Sequence, residues 1–130
     1  MEVMIVVIIL GILGAIAYPS YIDYVVRANR AAAQSFMLEV ANTLERYQLD
    51  HRAYATGAGA MATLGFTAIP PSVSNHYTVT IEAVAGPPAG YTILATPGGQ
   101  QAVRDAACGT LSLNNTGAKR ASGARTDCWQ

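Results

Sequence analysis

Residues 3–17 read VMIVVIILGILGAIA, an apolar run that Glu2 precedes and that no further charge follows until Asp23. At ~1.5 Å per residue, a helix over residues 3–18 is about 24 Å long, shorter than the ~30 Å hydrocarbon core of a membrane. A carboxylate inside hydrocarbon costs at least ~2.5 kcal/mol, so an acid at the edge of such a helix indicates a partner or a task. The run therefore predicts an apolar N-terminal helix in which Glu2 has a specific role.

Two simpler interpretations of this run compete. A secretory signal peptide requires a basic segment before its apolar core, and here the start is acidic with no basic residue in front. A plain membrane anchor stays open as an alternative. Arg27 and Arg30 follow the run and nothing basic precedes it, so the positive-inside rule does not decide its orientation.

With the residues that follow it, YPSYIDY at 18–24, the run resembles the N-terminus of type IV pilins, closely from residue 1 to about residue 30. The resemblance implies a subunit that waits in the inner membrane and is then assembled into an extracellular fimbrium for adhesion, twitching motility or DNA uptake. The implied partners are identical subunits in a homopolymeric filament, the pilus assembly machinery, and host surfaces or DNA. It also implies that Glu2 pairs with the N-terminal amine of a neighbouring subunit.

Mature pilins begin with an N-methylated phenylalanine, a threonine and a leucine before two residues like Met1-Glu2. The resemblance thus implies three further residues and processing by a prepilin peptidase. Three residues would lengthen the helix by about 4.5 Å. That brings the apolar helix close to a full membrane span.

The helix is predicted to continue beyond the run. Residues 1–22 form the hydrophobic assembly and transmembrane helix, and residues 23–50 form the helix of a globular domain over 23–130. Apolar residues recur at helical spacing on one stripe, while polar ones fall largely elsewhere. The stripe is Phe36, Val40, Leu44 and Tyr47, and the polar residues are Arg30, Gln34, Glu45 and Arg46.

Pro19 lies inside this helix, and Gly11 and Gly14 precede it. A mid-helix proline removes one backbone hydrogen bond and clashes with the preceding turn, and glycine weakens a helix further. Two interpretations remain: a harmless kink, or a segment over residues 11–19 that loses its helix in a filament. The pilin resemblance favours the second.

The remainder predicts an α+β fold, with the long N-terminal helix packed on an antiparallel sheet of about four strands. Residues 51–75 are rich in Ala, Gly and Pro without a sustained period and predict a connecting loop. Alternating patterns in residues 76–130 predict strands. These strands contain Tyr77, Val79 and Ile81, then Tyr91, Ile93 and Ala95, then Leu111 and Leu113, with a short fourth strand at about 118–122 after a turn at 114–117.

Cys108 and Cys128 lie twenty positions apart, a spacing that suits a loop-closing disulfide better than a metal site. A zinc site would need further ligands, and His51 and His76 are isolated from both cysteines. The expected disulfide indicates an oxidising compartment, and residues 108–129 resemble the disulfide-bounded loop of type IVa pilins.

We expect no metal, no cofactor and no enzymatic activity, because no nucleophile, paired catalytic acids or phosphate loop is apparent.

Charge bears on which pilin class this is. The whole chain has a formal net charge of zero, so no global field attracts nucleic acid. Residues 101–130 nevertheless have a local net charge of +2. The leading interpretation is a structural pilus subunit, with a minor pilin acting as DNA receptor or a type II secretion pseudopilin as alternatives. A pseudopilin of the major type would have a calcium loop, and no Asp-rich loop is present. The candidate DNA contacts are Arg104, Lys119, Arg120 and Arg125.

Overall fold

The computed structural model describes residues 2–129, and for Glu2 only the backbone. One helix, α1 (Glu2–His51), runs without interruption through Pro19. The apolar side chains of its first twenty residues are exposed, and α1 alone among the described helices is long and apolar enough to cross a membrane. In this single subunit, therefore, Gly11, Gly14 and Pro19 do not break the helix. The prediction that residues 11–19 unwind concerns the filament.

The sheet confirms the predicted α+β class. Its four strands are antiparallel and lie side by side in chain order. Ile81 pairs with Ile93, which pairs in turn with Leu113. One face of the sheet is thereby lined with apolar side chains. The strands are β1 (Tyr77–Val84), β2 (Gly90–Pro97), β3 (Leu111–Asn114) and β4 (Lys119–Ala121).

The core lies between this face and α1. Phe36, Val40 and Leu44 are buried against the sheet, as their spacing predicts. Two polar residues contradict the prediction, because Arg30 and Gln34 are buried as well. Both have partners that make burial tolerable: Arg30 donates to the carboxylate of Asp105, and Gln34 Nε2 donates to the Cys128 carbonyl at 2.6 Å. A buried polar group without such partners would destabilise the fold.

The connection over residues 51–75 is more ordered than a plain loop. It contains two short helices, α2 (Ala60–Thr63) and α3 (Pro71–Ser74), whose Ala60 and Val73 are buried in the core. Four residues make barely one helical turn, so neither helix produces a period that sequence analysis can detect. The prediction of an irregular loop was wrong at these two places.

A further helix, α4 (Gly99–Arg104), lies between β2 and β3 and was not predicted. Gln101 in this helix is buried, and Asp105 directly after it is buried too. Gln101 Nε2 donates to the Val26 carbonyl at 3.2 Å, and Asn29 Nδ2 donates to Gln101 Oε1 at 3.1 Å. These bonds hold α4 against the middle of α1.

Candidate nucleic-acid interface

The four cations predicted to contact DNA lie in two separate places. Arg104 ends α4 and Arg125 lies in the disulfide loop, and both line one pocket beside α1. Lys119 and Arg120 begin β4, an edge strand of the sheet, and do not line that pocket. All four side chains are exposed. The structure thus divides the predicted DNA contacts between a patch on β4, the β4 patch, and the pocket that Arg104 and Arg125 line, called the lower pocket below.

The β4 patch consists of Lys119, Arg120 and Trp129. Lys119 pairs with the core residue Leu113 and Arg120 with Ser112, so the two cations point to opposite faces of the strand. Lys119 Nζ lies 5.5 Å from the Trp129 ring centroid, and Trp129 Nε1 donates to the Arg120 carbonyl at 2.7 Å. No carboxylate within residues 3–129 forms an ion pair with either cation. Both charges are consequently available to an anionic partner.

Exposed charges on an edge strand also have a simpler role. Lysine and other charged residues at a sheet edge prevent pairing with the edge of another protein. That role needs only charge, whereas here the indole also contacts the Lys119 ammonium group and the Arg120 main chain. Trp129 was not predicted, and its only signal in the sequence is its position next to Cys128.

The turn between β3 and β4 is ordered by one side chain. Asn114 Oδ1 accepts hydrogen bonds from the Thr116 amide at 3.1 Å, the Thr116 hydroxyl at 2.7 Å and the Ala118 amide at 2.8 Å. Gly117 has a φ of 77°, in the left-handed region that favours glycine. The turn predicted at residues 114–117 is confirmed, and it fixes the position of Lys119 at the start of β4.

The predicted disulfide is confirmed. Cys108 and Cys128 are joined, with Cα atoms 5.6 Å apart, and both are buried. After β4 the chain returns alongside the first cysteine, and the Gly123 amide donates to the Cys108 carbonyl at 2.9 Å. A Cβ on Gly123 would lie 2.1 Å from the Ala107 carbonyl oxygen, so only glycine allows this close approach. The disulfide and this contact fasten the β4 patch to the domain.

Arg125 is paired within its own loop. Its Nε and Nη2 donate to the two carboxylate oxygens of Asp127, with Nη2 at 2.7 Å from Oδ2. These bonds lower the pKa of Asp127 to about 2. Arg125 is therefore a weaker candidate for binding DNA than Lys119 or Arg120, because a phosphate would have to compete with Asp127.

The lower pocket has a volume of about 160 Å³ and lies between α1, the end of α4 and the disulfide loop. Arg27, which was not among the predicted contacts, joins Arg104 and Arg125 at its wall. The buried pair Arg30–Asp105 forms its inner side. Arg27 and Arg104 form no ion pair with any residue over 3–129. Three chain segments thus present cations to one cavity, which no local sequence pattern reveals.

A third feature lies at the opposite end of the domain. Tyr54 and Tyr91 hydroxyls both donate to the Glu45 carboxylate, at 3.2 and 3.0 Å to its two oxygens, and their rings pack edge to face. Burial and Glu45 both raise the pKa of Tyr91. An open groove of about 410 Å³ beside Tyr54 is lined by Gln48, Arg52 and Pro88. Its only cation is Arg52, so it presents fewer cations than either of the other two places.

The four residues predicted to act in assembly, Glu2, Gly11, Gly14 and Pro19, all lie in the N-terminal half of α1. Gly11 and Gly14 face open space, since a Cβ on either would meet nothing within 4 Å. Pro19 lies on the same exposed stretch of α1. The Glu2 side chain lies outside the described residues. Within residues 2–129, no group of three His, Cys, Asp or Glu side chains could hold a metal ion.

Comparison with known proteins gives one family. A family model described as "Type IV minor pilin ComP, DNA uptake sequence receptor" matches residues 19–112. No curated protein matches the chain. The matched residues include Arg27 and Arg104 but end inside β3, so Lys119, Arg120 and Arg125 lie beyond them.

Proposed function

The chain belongs to the family of the type IV minor pilin ComP, and we propose that it is a receptor for double-stranded DNA displayed on a type IV pilus. The observation that carries this proposal is the family match over residues 19–112 of 130. The long apolar helix and the disulfide fit the same family. The match favours the DNA-receptor alternative over the interpretation as a structural subunit of the fibre.

The β4 patch is the part of the domain that we assign to DNA. Lys119 and Arg120 are exposed, have no ion pair among the described residues, and lie beside an ordered turn with polar residues. Cations that neutralise phosphates supply the sequence-independent part of DNA affinity, and a two-stranded ribbon such as β3–β4 fits the major groove. We assign phosphate contact to Lys119 and Arg120, and base contact to the polar tip at residues 115 and 116.

The apolar half of α1 has a separate role in this proposal. It anchors the subunit in the inner membrane and later packs among the helices of the filament, where Glu2, Gly11, Gly14 and Pro19 act in assembly. The support is the exposure of the apolar side chains over residues 3–21, because so large an apolar surface needs a membrane or other helices to cover it. DNA binding and assembly thus use different ends of the molecule.

The test is a selection of random-sequence DNA duplexes on the full chain held in detergent micelles. A receptor for an uptake sequence enriches duplexes that share one motif, and Lys119→Gln with Arg120→Gln lowers the yield of every duplex without changing the motif. Arg46→Gln, an exposed arginine higher on α1, is the matched control and leaves both unchanged. No enrichment over a chain-free support would overturn the proposal.

A further inference from the structure

The lower pocket is at the end of the domain that adjoins the apolar helix. We propose that it binds the phosphate of an anionic membrane lipid while the subunit waits in the membrane. This inference rests on the membrane-anchored stage of the proposed function and not on DNA binding. It is carried by the height of the pocket along α1, its charge, and the contacts that hold the segments from which its cations extend.

The height of the lower pocket above the hydrocarbon core follows from the geometry of α1. Residues 3–22 contain no charge, and Asp23 is the first charged residue after them, so we place the hydrocarbon boundary on the domain side at residue 22. Arg27 lies five residues further, about 7.5 Å above that boundary. The headgroup layer on each side of a bilayer is roughly 5–8 Å thick. Arg27, and with it the pocket, consequently lies at the level of lipid phosphates.

Tyrosines on α1 support this placement. Tyr18, Tyr21 and Tyr24 are all exposed, and they lie between the apolar run and Arg27. Tyrosine is enriched at the boundary between hydrocarbon and water, where its ring and hydroxyl are both accommodated. The order along the helix is thus apolar residues, interfacial aromatics and then cations.

The charge of the pocket fits one phosphodiester. Arg30 and Asp105 neutralise each other, and Arg125 is paired with Asp127. The remaining lining charges are Arg27, Arg104 and the single carboxylate of Asp23. The balance is one positive charge, presented by guanidinium groups whose planar forks suit phosphate oxygens.

The chain segments from which the cations extend are held in place before any ligand arrives. Arg30 Nε lies 2.9 Å from Asp105 Oδ2 in a buried pair, which fixes Arg104 beside α1. The Arg125 amide donates to the Ala107 carbonyl at 3.0 Å. This bond holds the part of the disulfide loop that contains Arg125 against the segment after α4. A site arranged in advance loses less conformational freedom on binding.

The experiment uses the full chain in detergent micelles containing equal amounts of phosphatidylglycerol, phosphatidylcholine and diacylglycerol. Native mass spectrometry then measures which lipid stays bound. We expect phosphatidylglycerol to be retained in preference, with about a fivefold loss for each of Arg27→Gln and Arg104→Gln. Arg46→Gln, the control for charge, retains the lipid as the parent chain does.

Two results would overturn the proposal. The first is unchanged retention of phosphatidylglycerol in the Arg27→Gln, Arg104→Gln double variant. The second is displacement of the lipid by an equal concentration of inorganic phosphate, which would identify a free-phosphate site. If the first result is accompanied by loss of duplex DNA binding in the double variant, the pocket belongs to the DNA interface. Failure of DNA binding in the parent chain would leave the lipid result unaffected.

Discussion

Arg30 on the long helix and Asp105 after α4 form a buried ion pair, with only 4% and 3% of their side chains exposed. The two residues are 75 positions apart in the chain. Tyr77 donates to the same carboxylate at 3.1 Å and Gln101 at 3.3 Å. One charge pair therefore joins α1, β1 and α4 at the lower end of the domain.

Arg30→Met should lower the free energy of unfolding by about 3–5 kcal/mol, because it leaves the Asp105 carboxylate buried without a cation. Adding Asp105→Asn should recover part of this loss, since the amide has no charge to leave uncompensated. Urea unfolding of the full chain in micelles measures both, with exposed Arg46→Met as control. A cost for Arg30→Met no larger than for Arg46→Met would contradict the assigned role of the pair.

The elements with long sequence patterns could be predicted, whereas the features made by contacts between distant segments could not. The stripe of Phe36, Val40 and Leu44 repeats often enough to predict α1, and alternation predicts the strands. Arg30 was placed outside the apolar stripe, and only its partner 75 residues away explains its burial.

The candidate site, too, could be predicted from the sequence only in part. Lys119 and Arg120 could be selected from their charge and from the disulfide loop around them. The hydrogen bond from Trp129 to the Arg120 carbonyl requires the folded loop. Arg27 becomes a neighbour of Arg104 only because α4 packs on α1, so the pocket could not be predicted from either segment alone.

Cys108→Ser should lower the free energy of unfolding by about 2–4 kcal/mol, because the disulfide restricts the unfolded chain over a loop of this size. Subunit abundance should fall with it, since a less stable domain is degraded faster. Thiol labelling of the unreduced native protein checks the bond itself. Reaction of both cysteines without a reductant would contradict the structure.

The raised pKa of Tyr77 predicts that the protein loses stability in alkaline solution. Burial foremost, and the nearby Asp105, raise the pKa of Tyr77 from 10.0 to about 12. The native hydroxyl keeps its proton where the unfolded one has lost it, so the free energy of unfolding is undiminished below pH 10 and falls between pH 10 and about 12. Urea unfolding across this range should show a shallower fall for Tyr77→Phe. An equal fall in both proteins would contradict the shift.

Glu2→Ala should leave a protein that folds and inserts in the membrane but assembles poorly. A buried carboxylate in a helix bundle needs a cation, and the pilin resemblance supplies the N-terminal amine of a neighbouring subunit. Glu2→Asp should be intermediate, because it keeps the charge and shortens the reach. The measurement is the amount of subunit in sheared surface fibres per total subunit. If Glu2→Ala is found in sheared fibres as abundantly as the parent chain, the carboxylate is not needed for assembly.

The salt dependence of duplex DNA binding by the full chain tests the central claim most directly. If Lys119 and Arg120 contact phosphates, the Lys119→Gln, Arg120→Gln double variant binds more weakly, and the slope of log affinity against log salt becomes shallower by about 2. The Arg27→Gln, Arg104→Gln variant removes the same charge elsewhere and keeps the parental slope. An unchanged affinity and slope in the Lys119, Arg120 variant would contradict the account.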